Sequence, residues 1–464
     1  MDNMNNNLPE RDGFASRFGI IAAAAGSAIG LGNIWKFPYI TGIYGGAAFI
    51  IVYLVCIAII GSPVMLSEFA IGRRAQKNAI GSFKVLAPNT PWFVTGWLGF
   101  LAAFSILSFY GVVAGWTLDY IVQSLTNSFA GADAEAIGGM FGTLVSKTWT
   151  PIFWQVVFMA MTAGVVLGGI KDGIEKYTKI LMPMLLVIII ILDIRAVTLP
   201  GAGAGVAFLF KPNWDLINGE AVLSALGHAF FSLSLGMGTM ITYGSYIGKK
   251  ENLGEIALQV TLADTAIALL AGLAMFPAVF AYGIEPAAGP SLVFITLPNV
   301  FQQMPGGYIF QILFFSLLAV AALTSSVSIL EVVVAYFHEE KNISRKSAVI
   351  TATVMITLVG MAASLSMGPW AGIKIPLPGF GSVNIFDWLD LFSANYLLPL
   401  GGFFISLFIG WGMEPEDVYE EVSNDGDLKV GYLGLFKIAT KFVAPAGIAI
   451  VFLSNFGVFD FILK

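Results

Sequence analysis

Apolar windows of roughly 20 residues, the length that crosses a bilayer, recur along nearly the whole chain. They fall near 17–40, 45–71, 93–124, 152–170, 174–197, 220–248, 255–283, 308–338, 345–368, 386–412 and 433–460. They predict eleven membrane-spanning helices and an all-α integral membrane fold. The polar stretches between them are mostly short. Three are longer: the Gly/Ala-rich 125–148, the Gly-rich 198–218, and 284–307. The last holds Pro286, Pro290, Pro298 and Pro305 around a short apolar piece, Ser291 to Leu297, and reads as a structured external hairpin. The acidic run from Glu414 to Asp427 reads as a solvated cytoplasmic loop.

Two windows carry interruptions that a spanning helix rarely tolerates. Ala25-Gly26-Ser27-Ala28-Ile29-Gly30-Leu31-Gly32-Asn33 puts three glycines and an asparagine at the centre of the first. Gly is poor in a helix interior, and a freed carbonyl in hydrocarbon needs a new partner. Close packing through small residues would account for Gly26 and Gly30 but not for Asn33. A break that turns backbone groups toward a ligand accounts for all of them, and such breaks hold the sites of secondary transporters. The sixth window repeats the feature in His228-Ala229-Phe230-Phe231-Ser232-Leu233-Ser234-Leu235-Gly236-Met237-Gly238. The two breaks stand five helices apart, an odd number that inverts the second half relative to the first. One transmembrane domain over 1–464 is expected, a 5+5 inverted repeat with helices 1 and 6 broken. Repeat one is about 14–197, repeat two about 220–412, and an extra helix lies at about 433–460. The halves share no evident identity, so the repeat is read from this punctuation alone.

Composition narrows the class. The 464 residues are 57% hydrophobic and 11% charged, against about 25% charged in a soluble domain. Residues 1–13 are polar, so no signal peptide is expected. Cys56 is the only cysteine, which excludes a disulfide framework and a thiolate metal site. With the N-terminus inside, seventeen Lys and Arg, from Arg11 to Lys441, fall on the cytoplasmic side. Five fall outside (Lys147, Arg195, Lys211, Lys374, Lys464), and Lys36 lies within the first span. That asymmetry predicts a multi-pass cell-membrane protein with a cytoplasmic N-terminus and an extracellular C-terminus. No HExxH, Gly-x-Ser-x-Gly elbow or Walker loop occurs, and the two histidines, His228 and His338, sit at different depths. The chain reads as a transporter rather than an enzyme, with no nucleic acid and no obligate protein partner expected.

The segment Gly26-Ser27-Ala28-Ile29-Gly30-Leu31-Gly32-Asn33-Ile34-Trp35-Lys36-Phe37-Pro38 resembles the first-helix signature of the neurotransmitter:sodium symporter family. The likeness extends through Gly45-Gly46-Ala47-Ala48-Phe49, Glu68, Tyr110 with Trp116, the Ser232–Gly238 break and Leu323-Thr324-Ser325-Ser326, over about 11–412. It points to the prokaryotic amino-acid members, many of which have eleven helices. The resemblance implies sodium-coupled uptake of a neutral, hydrophobic L-amino acid, up to aromatic size, by alternating access. A hard sodium ion takes neutral oxygens in a dry cage. By resemblance, one such cage uses the Ala28 carbonyl, Asn33, Ser232, the substrate carboxylate and Asp264. A second uses the carbonyls of Gly26, Ile29 and Ala321 with the hydroxyls of Thr324 and Ser325. Those hydroxyls could instead bond back within their own helix. The substrate carboxylate would meet the amides near Leu31 and Gly32, beside Ala28, at a half-helix N-terminus that suits an anion. Tyr110 would add its hydroxyl. The ammonium would face the carbonyls of Phe231 and Ser232 and the Ser325 hydroxyl. Ile106, Phe231, Ser234, Met237 and Ile329 would line an uncharged side-chain pocket in which Met is adaptable.

Departures from the family pattern sharpen the expectation. Chloride-dependent members hold the anion beside sodium; the matching places here are Tyr53, His228, Ser232, Asp264 and Ala268. A fixed carboxylate at Asp264 implies chloride independence, with the register of that helix resting on Gly272. His228 stands where Gln is usual, either as its hydrogen-bonded substitute or as a titrating group for proton counter-transport. Lys36 and Asp390 match the external gate pair, without the bidentate fork of the usual Arg, and Phe231 over Tyr110 would form the lid beneath. Arg11 and Glu339 match the inner pair, with Tyr246 and Phe14 nearby, Phe14 replacing the usual Trp. Glu68 is expected to satisfy backbone ends around the sixth-helix break, while Asp119 and Glu331 find no role. Gly173 and Pro183 frame a turn that either unwinds to admit water to the second sodium site or is a static kink. The alternatives are a same-fold carrier of amines or another small solute, and an amino-acid sensor that transports nothing.

Overall fold

A segment made of Leu, Ile, Val, Phe and Ala in hydrocarbon can pair its backbone only with itself, so the windows must be helical. In the computed structural model, which describes residues 12–283 and 292–458, they are. The first window is two pieces, α1 (Arg17–Ala28) and α2 (Gly32–Ile43), bent by 48°. There follow α3 (Ala47–Ala75), the short α4 (Ala79–Leu86), α5 (Phe93–Leu125), α6 (Ala134–Ser146), α7 (Trp149–Leu167) and α8 (Ile170–Val197). After α9 (Gly203–Phe210) comes the second interrupted window, α10 (Gly219–Ser232) and α11 (Thr239–Gly244). Then come α12 (Leu253–Ala281), α13 (Leu297–Gln303), α14 (Gly307–Glu340) and α15 (Arg345–Leu365). An antiparallel hairpin, β1 (Ile375–Leu377) with β2 (Gly381–Val383), leads to α16 (Ile385–Gly412), α17 (Pro415–Ser423) and α18 (Leu433–Ser454).

Among the described residues, nine helices are long and apolar enough to cross a bilayer, and α1 with α2 makes a tenth. The remaining window of the expected eleven is the one split into α10 and α11, of 14 and 6 residues. The long helices α5 and α14 pack along each other, and α1 packs against α14, α12 and α8. The broken helix is thereby enclosed by unbroken ones. On the outer side of α8, Ile180, Val187 and Ile194 stay exposed, as residues that face lipid tails do.

Two stretches read as plain loops are partly helical: 125–148 holds α6 and 198–218 holds α9. Pro286 and Pro290 of the expected external hairpin lie outside the described residues. The described part, a π turn at Leu292–Thr296 and then α13, lays Phe294 against Trp116, Tyr120 and Phe141. The Tyr120 hydroxyl donates to the Phe294 carbonyl at 2.8 Å.

The acidic run is not merely a solvated loop. It forms α17, and Glu421 within it is 3% exposed and paired with Arg73, itself 1% exposed, at the end of α3. Lys249 reaches Glu421 at 2.9 Å, and Arg73 also donates to the Glu251 carbonyl at 2.6 Å. A charge run looks solvated in sequence because its partners lie more than 150 residues away. Glu331, unassigned from sequence, accepts both Arg345 Nη groups at 3.0 and 2.7 Å and the Tyr246 hydroxyl at 2.8 Å. Removing one partner of a buried pair strands the other, at a cost of about 3–5 kcal/mol. Glu421→Ala is expected to lower unfolding stability by roughly that amount in detergent. Exposed Glu420→Ala should cost less than about 1 kcal/mol in the same thermal unfolding measurement.

Candidate substrate and ion site

The two breaks face each other, and their amides find partners. In the first, Ile29 N–H still reaches Ala25 at 2.7 Å, Gly30 N–H donates to Asn33 Oδ1 at 3.1 Å, and Leu31 N–H to the Tyr110 hydroxyl at 3.2 Å. The Ser27 carbonyl accepts the hydroxyls of Ser234 and Ser325, both at 3.0 Å. In the second, Gly236 N–H donates to Glu68 Oε1 at 2.7 Å, the role its position in the sequence suggested. Gly236 has φ +79°, and a Cβ there would stand 2.4 Å from the Leu398 carbonyl oxygen, so the turn requires glycine.

Of the residues assigned by resemblance to the first sodium site, three side chains form one buried cluster. Asn33 Nδ2 lies 2.7 Å from Asp264 Oδ1 and 3.2 Å from Ser232 Oγ, and Ser232 donates to Asp264 at 3.0 Å. This contact places Asp264, in α12, against the break and so supports the register taken from Gly272. Asn33 turns its nitrogen to the carboxylate and its oxygen to Gly30. An oxygen-directed cage would need this amide to turn over.

The second set also converges. Gly26 sits against Thr324, where a Cβ would come within 3.2 Å, with Met182 and Thr178 of α8 beside it. Here the structure divides the two hydroxyls. Thr324 bonds back to Val320 and Ala321 at 3.2 and 3.1 Å, whereas Ser325 crosses to α1. The Ile29 carbonyl belongs to the residue at which α1 ends.

Between the breaks lies a cavity of about 20 Å³, room for roughly one water. Ala28, Leu31, Gly32, Ile106, Tyr110, Phe231, Ser234, Met237, Ser325 and Ile329 all line it. Ser27 and Gly30 line it too and were not assigned to it from sequence, although both sit inside the break motif. Ser232 is in the ion cluster instead. Above, a vestibule of about 250 Å³ is lined by Lys36, Tyr39, Tyr44, His228 and Asn395 among others. Phe231 borders both spaces, so it is the partition between them.

Two expectations are corrected. Lys36 and Asp390 make no ion pair; Lys36 Nζ lies 4.8 Å over the Phe231 ring instead. A point-charge ammonium has no fork to hold a distant carboxylate and takes the aromatic face at hand. His228 is neither a hydrogen-bonded Gln substitute nor bonded to Asp264. Both its ring nitrogens lack partners, and it packs on Phe37 and Tyr53 at 5.7 and 5.4 Å. The turn ahead of Pro183 is a π turn, Ile170–Glu175. Of the pair expected at the inner gate, Arg11 lies outside the described residues. Glu339 accepts Asn78 N–H and Nδ2 at 2.8 and 3.0 Å. Phe14 packs edge-on to Tyr243 and Tyr246.

Two facing helix breaks, enclosed by unbroken apolar helices and bordering a small polar-lined cavity, define a secondary membrane transporter. The model of the sodium:neurotransmitter symporter family matches residues 11–137 and 144–461. This chain belongs to that family, whose members are transporters rather than enzymes. It is 40% identical to the sodium-dependent transporter YhdH of Bacillus subtilis, over 97% of this chain and 98% of that one. A sodium-dependent transporter of Haemophilus influenzae is 35% identical over 97% of this chain and 100% of its own. The crystal structure of MhsT in complex with L-phenylalanine superposes with a TM-score of 0.88 at 50% identity, covering 96% and 100% of the two chains.

Losing the acceptor for a buried N–H costs about 1–3 kcal/mol, so Glu68→Ala is expected to weaken substrate binding about tenfold or more. Glu68→Gln, which keeps an oxygen for Gly236, should stay within a few-fold of the parent. Equilibrium binding to the purified variants checks both.

Proposed function

We propose that this transporter carries neutral, hydrophobic L-amino acids into the cell with sodium, by alternating access and without a chloride requirement. The observation that carries the reading is the cavity between the breaks. Its lining joins backbone amides and the Tyr110 hydroxyl to Ile106, Phe231, Met237 and Ile329, with no charged side chain. Amides at the start of α2 suit a carboxylate; an uncharged, flexible pocket suits an apolar side chain. The L-phenylalanine held by MhsT supports an upper size that includes aromatic rings. At 20 Å³ the cavity must grow to hold any amino acid, and Phe231 and Met237 are the side chains to move.

In this reading two sodium ions occupy the Ala28/Asn33/Ser232/Asp264 set and the Gly26/Ile29/Ala321/Thr324/Ser325 set. Asp264 supplies within the protein the negative charge that chloride brings elsewhere. The chain works as two inverted repeats, about 14–197 and 220–412, with the segment near 433–460 appended, its N-terminus cytoplasmic and its C-terminus outside. Sodium stabilises the outward-open form, and substrate then permits closure.

Labelled leucine and phenylalanine binding should be saturable in sodium, absent in potassium, and indifferent to chloride. Phenethylamine, which lacks the carboxylate, should compete at least a hundredfold less well than phenylalanine. Equal binding in potassium removes the sodium sites, and equal competition by the amine removes the carboxylate assignment. Counterflow in proteoliposomes separates transport from sensing.

A further inference from the structure

The connection from α8 to α10 is too short to cross a bilayer and runs along the edge of the helix bundle. It consists of α9 (Gly203–Phe210) and a 3-10 turn, Trp214–Leu216, and it leaves α8 at Val197 and enters α10 at Gly219. One side of it is seated. The Phe208 ring lies 4.9 and 5.4 Å from those of Phe276 and Phe280, near the end of α12. The Phe208 carbonyl oxygen is 2.2 Å from where a Cβ of Gly46 would stand, and Leu216 Cδ1 is 3.1 Å from a Cβ built at Gly45. Both glycines also have positive φ, +67° and +80°. The turn from α2 to α3 therefore needs glycine for its own backbone and again to seat this connection.

The other side is bare. Phe210 is 72% exposed and Trp214 53%, and Lys211 and Leu216 are exposed with them. Three large apolar side chains within seven residues make a patch that water would penalise. What borders the patch is lipid-facing. Ile51, Val55 and Ile59, spaced four apart on α3, form an exposed apolar stripe that starts just past the glycine pair. Trp149, which opens α7 on the face where α8 ends, is exposed too. Tryptophan at the ends of spans sits at headgroup level, its ring toward the chains and its N–H toward water. A lysine beside it lays its stem on the apolar layer and lifts its ammonium to the phosphates. We propose that Phe210, Lys211, Trp214 and Leu216 form an anchor in the headgroup layer of a phospholipid bilayer, seated on Gly45 and Gly46. The anchor fixes the depth of the turn at the head of the broken first helix. It needs only the membrane position of the helices, not the substrate.

The test uses the full chain with Cys56→Ala, which removes the only cysteine, in phospholipid vesicles. A nitroxide is placed on Phe210→Cys or Trp214→Cys, and on Glu135→Cys as a reference, exposed on α6. Depth is read from collisions with oxygen, which concentrates among the chains, and with a water-soluble nickel chelate on both sides of the membrane. At 210 and 214 the nickel rate is expected to be about fivefold or more below that at 135, with the oxygen rate above it. Shorter-chain lipid should leave the nickel rate at 214 unchanged, since an anchor follows the headgroups. Phe208→Ala, which removes the ring packed on α12 and leaves the exposed side chains intact, should raise the nickel rate at 214 about twofold or more. Nickel rates at 210 and 214 equal to that at 135 overturn the anchor, as does a rate at 214 that climbs as the bilayer thins. An unchanged rate in Phe208→Ala overturns the seat.

Discussion

Hydrocarbon offers a backbone no water to bond with, so every amide freed by a helix break must be met by the protein itself. The breaks at 29–31 and 233–238 meet that condition with a small set of side chains. Asn33 and Tyr110 take the amides of Gly30 and Leu31, Ser234 and Ser325 donate to the Ser27 carbonyl, and Glu68 takes Gly236. These bonds tie α1, α3, α5, α10 and α14 to one point. The groups that satisfy the break are the same groups that border the cavity. A ligand entering there competes with bonds the protein already makes, and this is how occupancy can be felt by several helices together.

The two faces of the molecule are held differently. On the face that carries the start of α1 the charges are paired and largely buried: Arg73 with Glu421, Arg345 with Glu331, and Glu175 with Lys179. Several of these contacts join a broken helix or its neighbours to an unbroken one, as when Tyr246, just past α11, reaches Glu331 on α14. On the opposite side a 250 Å³ vestibule ends at one aromatic ring with an ammonium over it. A ring on a rotatable side chain is a lighter barrier than a network of buried ion pairs.

Much of the site is legible in the sequence. Gly and Asn at mid-span are conspicuous because the membrane penalises them, and Glu68 is conspicuous because an intramembrane carboxylate needs a partner. Contacts between distant segments were harder to read. The acidic run looked like solvent-facing charge because nothing local hints that Arg73 and Lys249 surround Glu421. Glu331 had no evident purpose for the same reason. Lys36 had two opposite candidate companions, a carboxylate and an aromatic face, and sequence cannot say which is nearer. His228 was read from its polarity, whereas its neighbours Phe37 and Tyr53 make its surroundings aromatic.

The sequence by itself determined that the chain crosses a membrane many times, where its helices break, and which residue types crowd those breaks. These are local properties: apolar length, glycine and polar groups at mid-span, and charge between windows. Only the tertiary structure decided that Thr324 bonds within its own helix while Ser325 reaches another, and that Asn33 turns its nitrogen to Asp264. It also decided that Glu175 accepts Ala15 N–H while Asp12 accepts Ile170 N–H. Hydrogen bonds act over about 3 Å. Which of several candidate partners comes that near is set by how the helices pack.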